Sequence, residues 1–337
     1  MVSESVVSES VVADVEVSIV SLRGGSQLSR CVATLPRACA GLSWRLTLVD
    51  NSPSGLALTP SLHGVPAAAT LRSEGRRGFA ANQNLVLTQV VREDRARYVL
   101  VLNDDTELDT RSVTTLVRYA DERPHTGAVG PVLRDSNGVR SPSIFAWPTL
   151  TNQVLSSAFP RRQPRPVAEQ GWINGACLLV RTAALAQVGL FDPQYFLFYE
   201  ETDLCRRMTR AGWRIEQCAN ATVVHRQHQT TKRTGSAVEI DQQMLRSRYL
   251  YFRKHRGRLA ARMLNGLVRC GLFARTAKVA VETAAGRKPS GSPTAGVLWA
   301  LTASQPSRPT RFELEARANS APARGAPHRT ACRIGRS

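Results

Sequence analysis

An apolar segment that ends abruptly in acids constrains the fold of this chain more than any other sequence feature. Residues 97–102 read Arg-Tyr-Val-Leu-Val-Leu and are followed at once by Asn-Asp-Asp at 103–105. An earlier apolar segment at 45–49 likewise ends in Asp50. Short apolar runs bounded by polar residues predict buried strands. Carboxylates placed directly after a buried strand are costly unless a cation or a hydrogen-bond donor meets them. We therefore expect a ligand site at this edge.

Strands and helices alternate through the first half of the chain. The predicted strands are 16–22, 45–51, 68–74 and 97–105, and the predicted helices are 26–35, 78–91 and 110–123. The second half predicts short strands of a meander at 128–135 and 141–145, a strand leading into a helix at 172–185, a helix from about Glu200, and a strand at 214–225. Such alternation indicates an α/β fold with a doubly wound parallel sheet, whose ligands bind beyond the carboxyl ends of the strands.

The positive charge of the chain is concentrated near its C-terminus. The 337 residues include 45 Lys and Arg against 26 Asp and Glu, a formal net charge of +19. Residues 246–337 hold 19 of the basic residues and three acids, a net charge of +16, which leaves +3 for the first 245 residues. The charge pattern therefore predicts a near-neutral domain followed by a basic tail, and it weakens a nucleic-acid-binding interpretation that rests on the total charge alone.

Four regions are expected from these patterns. They are a leader at 1–14, an α/β domain at 15–240, a basic amphipathic helical extension at 241–283 and a disordered basic tail at 284–337. Arg258, Arg262 and Arg269 share one stripe of the extension, which is typical of a helix that lies on an anionic membrane surface. An ordinary helix that packs on the domain or in a dimer is the alternative.

Several features point to a reducing compartment. The seven cysteines are odd in number and contain no Cys-x-x-Cys, so neither a zinc framework nor a disulfide ladder is indicated. The acidic N-terminus does not resemble a secretory signal, and no run of about 18 apolar residues predicts a membrane span. We expect a cytoplasmic protein, with peripheral attachment to the inner face of the cell membrane left open.

Acids also follow an aromatic run at 195–199. Glu200, Glu201 and Asp203 come next, and adjacent carboxylates beside apolar side chains raise each other's pKa, which suits a general base. The alternative is an acidic first helical turn that favours the helix dipole.

His225 closes the last strand at the same edge, and a Gly-Arg-Arg-Gly turn at 75–78 opens a helix where a phosphate could approach. Turn, capping or core roles are the alternatives for the edge acids and for His225.

Seven motifs in order resemble the inverting family 2 glycosyltransferases of GT-A fold. They are VSIVSL, LVDNSPSG, RRGFAANQN, YVLVLNDDTEL, GWINGACLLVRTAAL, VGLFDPQYFLFYEETDLCRRMTRAGW and VVHRQHQT, and they span roughly residues 15–255. Within the family the chain is most similar to the bacterial rhamnosyltransferases, including actinobacterial enzymes that add rhamnose to a polyprenyl-diphosphate-linked N-acetylglucosamine in cell-wall synthesis. The resemblance implies a Rossmann-like, mostly parallel sheet with the helical extension and basic tail appended.

The resemblance also implies roles for individual residues. The residues implied to bind the nucleotide sugar are Asp50, Arg77, Gly78, Phe79, Asn84, Asn103, Asp104 and Arg207. Asp105 and His225 are implied as ligands of Mg²⁺ or Mn²⁺, and Trp172, Asn174 and Gly175 as the acceptor-facing strand. Glu201 stands where the family has the Asp of its Glu-Asp-x-Asp-Leu motif, so either Glu201 or Glu200 is the general base, with Asp203 beside them.

The implied reaction is the transfer of a sugar, such as L-rhamnose from dTDP-L-rhamnose, to a hydroxyl of a cell-envelope glycan or a polyprenyl-diphosphate-linked acceptor. It is a direct displacement with inversion and without a covalent enzyme intermediate. Two other function classes remain open at this point. One is a catalytically inactive scaffold of the same fold, and the other is a basic nucleic-acid-binding protein.

Overall fold

The computed structural model describes residues 12–52, 65, 68–73, 77–153, 171–226, 237–286 and 305–314. The strands are β1 Ala13–Ser21, β2 Trp44–Asp50, β3 Ala68–Arg72, β4 Ala96–Asn103, β5 Thr106–Leu108, β6 Thr126–Arg134, β7 Arg140–Ser141, β8 Ile144–Phe145, β9 Trp172–Ile173, β10 Cys177–Arg181 and β11 Arg214–His225. The helices are α1 Gly25–Ala38, α2 Phe79–Glu93, α3 Ser112–Asp121, α4 Thr182–Val188, α5 Glu200–Arg210 and α6 Ala237–Ala284.

One curved sheet of nine strands organises the domain. Its strands follow the order β3-β2-β1-β4-β10-β6-β11-β5, and β7 pairs with β6. Six strands, β1 to β4, β6 and β11, run in the same direction, while β10 is antiparallel to both of its neighbours. The prediction of a mostly parallel α/β sheet is confirmed. The carboxyl ends of β1, β2, β4 and β11 consequently lie at one edge.

Helices cover both faces of the sheet, and β4 shows why. Its residues Tyr98, Leu100 and Leu102 belong to one buried cluster with α1 and α3. The alternate residues Val99 and Val101 belong to a second cluster with α2, α4 and α5. Successive side chains of a strand point to opposite faces, so a strand buried on both faces must be apolar throughout. The continuous apolar run at 98–102 is thus explained by its central position.

The structure corrects the predicted connections in the second half of the chain. The segment 172–185, predicted as a strand leading into a helix, contains two strands before its helix, because Asn174 turns the chain and its Oδ1 accepts a hydrogen bond from the amide of Ala176. The strands near 141–145 do not form a meander: β7 pairs with β6, whereas β8 pairs with β9 in a separate two-stranded sheet. No sequence pattern predicts β5, because its three residues are too few to show one.

The predicted C-terminal helix is present but broken. α6 contains non-helical backbone at Gly257, with φ 89° and ψ 167°. Leu245 and Tyr249 before this break line one small cavity together with Leu264 and Val268 after it. The halves at 237–256 and 258–284 therefore fold back on each other.

Part of the predicted disordered tail is structured. Within residues 305–314, Phe312 stacks on Phe196 with ring centroids 5.9 Å apart, and Glu313 lies 3.4 Å from Arg246 on α6. The rest of the predicted tail, and most of the predicted leader, lie outside the described residues. In the parts of the chain that the structure describes, no helix has both the length and the hydropathy to cross a membrane.

Candidate functional site

The ends of three neighbouring strands bring the first predicted acids together. In the strand register, Ser21 of β1 pairs with Asp50 of β2, and Val20 of β1 pairs with Asn103 of β4. Asp104 follows β4 directly, is buried, and accepts a 2.6 Å hydrogen bond from Ser21 Oγ. Ser21 was not among the predicted site residues, although it ends a strand at the same edge.

Asp105 and His225 form a close pair at this edge of the sheet. His225 Nε2 lies 3.3 Å from Asp105 Oδ1, and both side chains are largely buried. Asp105 Oδ1 and His225 Nδ1 have no hydrogen-bond partner among the described residues. His225 lies at this position because β11 pairs with β5, which begins one residue after Asp105. Two residues 120 positions apart are thus brought into contact.

This pair suits a divalent metal that takes further ligands from an anionic substrate. A buried carboxylate oxygen without a hydrogen-bond partner is a hard anionic ligand, and an adjacent imidazole nitrogen is accepted by Mn²⁺ more readily than by Mg²⁺. Within the described ranges, no group of three or more His, Cys, Asp or Glu side chains could hold a metal by itself. Asp105 and His225 therefore fit the predicted metal as a partial ligand set.

Glu200 and Glu201 begin α5 beside the aromatic run. Glu200 is buried, its Oε2 has no partner among the described residues, and burial together with the charge of Glu201 raises its pKa well above the usual range. Glu201 is half-buried, and burial raises its pKa to about 7, against the opposing effect of nearby backbone amides. A carboxylate with a pKa near neutrality can accept a proton under working conditions.

The backbone that leads into α5 is strained. Phe198 and Tyr199 have φ values of 71° and 69°, in the left-handed region that non-glycine residues seldom adopt. α6 holds this turn in place, because Ser247 Oγ donates a 2.7 Å hydrogen bond to Leu197 O and the Tyr199 ring packs on Tyr251. Two consecutive strained residues next to candidate catalytic groups indicate a conformation fixed by its surroundings.

The predicted acceptor strand lies against the candidate base. A Cβ built on Gly175 would lie 3.6 Å from Glu201 Cγ, so the turn between β9 and β10 contacts the Glu201 side chain. Asn174 shapes this turn as described above. Trp172 packs on Phe145 with ring centroids 4.8 Å apart, and its Nε1 donates to Ala146 O.

The predicted nucleotide side is built around the start of α2. Asn51 Nδ2 donates to Arg77 O, and Asp50 accepts hydrogen bonds from the amide and hydroxyl of Ser52. The amide of Phe79 donates a 2.7 Å hydrogen bond to Phe196 O, and a Cβ on Gly78 would lie only 2.3 Å from that oxygen. The start of α2 is therefore joined directly to the aromatic run before Glu200.

Three residues predicted to bind the nucleotide sugar make contacts within the protein. Asn84 exchanges two hydrogen bonds with the backbone of Phe191, and the Phe79 ring meets the Phe191 ring edge to face. Arg207 donates to Asp203 and to the carbonyls of residues 188–190. These contacts position α2 and α5.

Asp203 is the centre of a buried ionic cluster. Its Oδ1 lies 2.7 Å from His255 Nε2 and 2.8 Å from Lys254 Nζ, and its Oδ2 accepts a 2.9 Å hydrogen bond from Arg207. Burial alone would raise its pKa, but the hydrogen bonds of His255 and Lys254 and the charge of Arg207 lower the pKa to about 2. A carboxylate with so low a pKa is a weak proton acceptor near neutral pH, so Asp203 is a poor candidate for the general base. No sequence pattern predicts the contacts of Lys254 and His255 with Asp203, because these residues lie 51 and 52 positions away along the chain.

Fold and site together define an α/β protein with paired carboxylates at the carboxyl edge of its sheet. The family model "Glycosyltransferase like family 2" matches residues 58–249. The chain belongs to this family and is a glycosyltransferase.

Known relatives agree with this assignment. The chain is 32% identical over 219 residues to the N-acetylglucosaminyl-diphospho-decaprenol L-rhamnosyltransferase of Mycobacterium tuberculosis, covering 56% of this chain and 71% of that protein. It is 25% identical over 167 residues to rhamnosyltransferase WbbL of Escherichia coli, covering 46% of this chain and 63% of that protein. Among solved structures, the Pyrobaculum calidifontis mannosyltransferase PcManGT in complex with GDP-Man and Mn²⁺ matches with a TM-score of 0.52 at 15% identity, covering 92% of this chain and 86% of that one. The structural match supports the GT-A fold.

Proposed function

We propose that this glycosyltransferase moves L-rhamnose from dTDP-L-rhamnose to a hydroxyl of a polyprenyl-diphosphate-linked or other cell-envelope glycan, with inversion at the anomeric carbon. The observation that carries the mechanism is the position of Glu201, half-buried against Gly175 with a pKa raised to about 7. The similarity to two rhamnosyltransferases supports the donor sugar, and the name of the Mycobacterium tuberculosis relative supports a lipid-linked acceptor.

Proton transfer is the step that the carboxylates perform. Glu201 accepts the proton of the acceptor hydroxyl while that oxygen forms its bond to the anomeric carbon. The bond between this carbon and the nucleoside diphosphate breaks, and its electron pair leaves with the diphosphate. Glu200 lies deeper and has no described hydrogen-bond partner at Oε2, and burial together with the charge of Glu201 raises its pKa well above the usual range.

Asp105 and His225 would hold the divalent metal, Mn²⁺ or Mg²⁺. A metal bound there offsets the negative charge that builds up on the leaving diphosphate. Asp104, held by Ser21, and Asp50, at the end of the next strand, lie at the same edge and are proposed to contact the nucleoside. Ordered carboxylates at this edge orient the donor before the acceptor binds.

A donor screen tests the proposed substrate. The purified chain would be incubated with dTDP-L-rhamnose, UDP-N-acetylglucosamine and GDP-mannose, with and without Mn²⁺, and release of each nucleoside diphosphate would be measured with and without a lipid-linked N-acetylglucosamine acceptor. Acceptor-dependent release of dTDP alone supports the proposal. Preference for another donor would contradict the assignment to rhamnose while leaving the family unaffected, and no release from any donor would favour the inactive-scaffold alternative.

A further inference from the structure

The second half of α6 exposes an unusual number of apolar side chains. We call the following residues the exposed stripe: Leu259, Met263, Leu267, Phe273 and Val281, whose exposed fractions are 72, 51, 46, 57 and 69%. At 100° per residue, these positions fall within about 120° of the helix circumference. A continuous apolar face of this kind on a protein surface marks an interaction site.

The exposed stripe is distinct from the face that packs into the protein. The side chains of Ala261, Leu264, Val268, Leu272 and Val279 are buried and join Tyr251 and Phe252 from the first half of α6. These buried positions lie nearly opposite the exposed stripe on a helical projection. The second half of α6 is therefore apolar on two faces, and packing among the described residues accounts for one of them.

Cations border the exposed stripe on both sides. Arg258, Arg262 and Arg269 project along one edge, as the sequence predicts, and Lys278 projects along the other with 74% of its side chain exposed. Residues 253–281 contain eight Lys and Arg and no Asp or Glu. An apolar face bordered by cations is the arrangement of helices that lie in the interface of an anionic bilayer.

We infer that the exposed stripe docks on the surface of an anionic lipid bilayer. Phe273, Leu267 and their neighbours would enter the headgroup region while the bordering cations contact lipid phosphates. A second copy of the chain is a poorer occupant, because a two-fold contact would bring the same row of arginines together. Docking itself is argued from the surface of α6. Only its purpose, which is to bring the enzyme to a lipid-linked acceptor, rests on the proposed function.

The position of the exposed stripe relative to α5 strengthens this inference. Leu259 comes four residues after His255, whose ring contacts Asp203 on the helix that begins with Glu200 and Glu201. The membrane-facing segment is consequently attached to the helix of the candidate bases. Docking along the exposed stripe would hold that helix close to the bilayer from which the acceptor projects.

Vesicle flotation tests the inference. The full chain would be mixed with phosphatidylcholine vesicles with and without roughly 30% phosphatidylglycerol. The wild-type chain is expected to float with the anionic vesicles. In the double variant Leu267→Glu/Phe273→Glu, partitioning of the protein onto anionic vesicles is expected to fall by at least about tenfold. In the double variant Arg258→Gln/Arg262→Gln it is expected to fall roughly tenfold, and the remaining binding should depend less on salt. Val139→Glu, a 60% exposed position on another surface, should float like the wild type.

Three results would overturn the inference. They are equal flotation with neutral and anionic vesicles, flotation of the double variant like the wild type, and a wild-type dimer in light scattering that the double variant abolishes without any vesicle binding.

Thermal melts check folding, and the milder pair Leu259→Ser and Val281→Ser repeats the test if the first double variant is unstable. Transfer to a short, water-soluble acceptor should be the same in the wild type and all these variants. Loss of transfer in every protein, the wild type included, would count against the proposed function and leave the flotation result standing.

Discussion

His255 on α6 places its Nε2 2.7 Å from Oδ1 of Asp203 on α5, and this contact joins the C-terminal helix to the helix that carries the candidate bases. Lys254 and Arg207 complete the cluster around the same carboxylate. The side chain of Asp203 is fully buried. The ion pairs therefore have a structural role: they fix the orientation of α5, and with it the position of Glu201.

The first prediction concerns this cluster and acid stability. The pKa of Asp203 is lowered from 3.8 to about 2, so its contribution to stability is complete above about pH 4 and is lost as the pH falls towards 2. The contribution corresponds to about 2 kcal/mol. Asp203→Asn should reduce the free energy of unfolding in urea by about 3 kcal/mol at neutral pH, because it removes the buried anion that holds His255, Lys254 and the partly buried Arg207.

Glu93→Gln is the matched control for Asp203→Asn. Glu93 pairs with Arg95 at 2.6 Å, but its side chain is 54% exposed. Its removal should change stability by less than about 0.5 kcal/mol. Equal effects of the two substitutions would show that the buried cluster does not hold α5 in place.

The second prediction concerns the pH dependence of transfer. A general base must be ionised to work, so with a Glu201 pKa of about 7 the turnover number should rise with pH through neutrality and fall about tenfold per unit below it. Glu201→Asp should lower turnover and move the midpoint of the profile, since the shorter side chain sits in a different environment. A midpoint that Glu201→Asp leaves unmoved would assign the titration to another group.

The third prediction concerns the junction between α2 and the aromatic run. Gly78→Ala should destabilise the chain by about 1–3 kcal/mol, because the new methyl group would lie 2.3 Å from Phe196 O and force the backbones apart. Gly266→Ala provides the contrast: nothing lies within 4 Å of its Cβ position, so the substitution should stabilise the helix by about 0.5–1 kcal/mol. In thermal melts, the melting temperature should fall for Gly78→Ala and rise for Gly266→Ala. An unchanged melting temperature in Gly78→Ala would mean that the backbones at this junction move apart at little energetic cost.

The fourth prediction concerns the metal. Asp105→Ala and His225→Ala should each weaken Mn²⁺-dependent binding of the nucleotide sugar in calorimetry by at least about tenfold, as expected on removal of one ligand. Asp109→Ala, an exposed acid nearby in the sequence, should bind like the wild type. Binding that is independent of Mn²⁺, or that survives the loss of Asp105, would move the metal site elsewhere.

Much of the sheet could be predicted because its information is local. The continuous apolar run of β4 and the acids after it report a strand buried on both faces that ends at an open edge. β5 could not be predicted, because three residues form a strand here only through pairing with β11. The break of α6 at Gly257 also escaped prediction, since single glycines are tolerated inside helices and their conformation depends on the packing of the two halves.

The candidate site likewise contains residues that local sequence predicts and residues that only the folded chain brings together. The predictions for Asp105, His225 and Glu201 come from motifs, and the structure places each of these residues at or next to the boundary of a helix or strand. Asn84 and Arg207 are equally part of those motifs, but their side chains hold the backbone at Phe191 and at 188–190. A motif does not distinguish a residue that binds substrate from one that orients its neighbour. His255 lies outside the motifs, and only the folded chain brings it to Asp203.

The product of a single transfer reaction tests the central claim most directly. With dTDP-L-rhamnose and a lipid-linked N-acetylglucosamine acceptor, NMR of the product of the wild-type chain should show an anomeric configuration opposite to that of the donor. Glu201→Gln should give no detectable product while it still binds the donor, and Glu201→Asp should give less of the same inverted product. A product of retained configuration, or full transfer by Glu201→Gln, would contradict an inverting enzyme with Glu201 as its base.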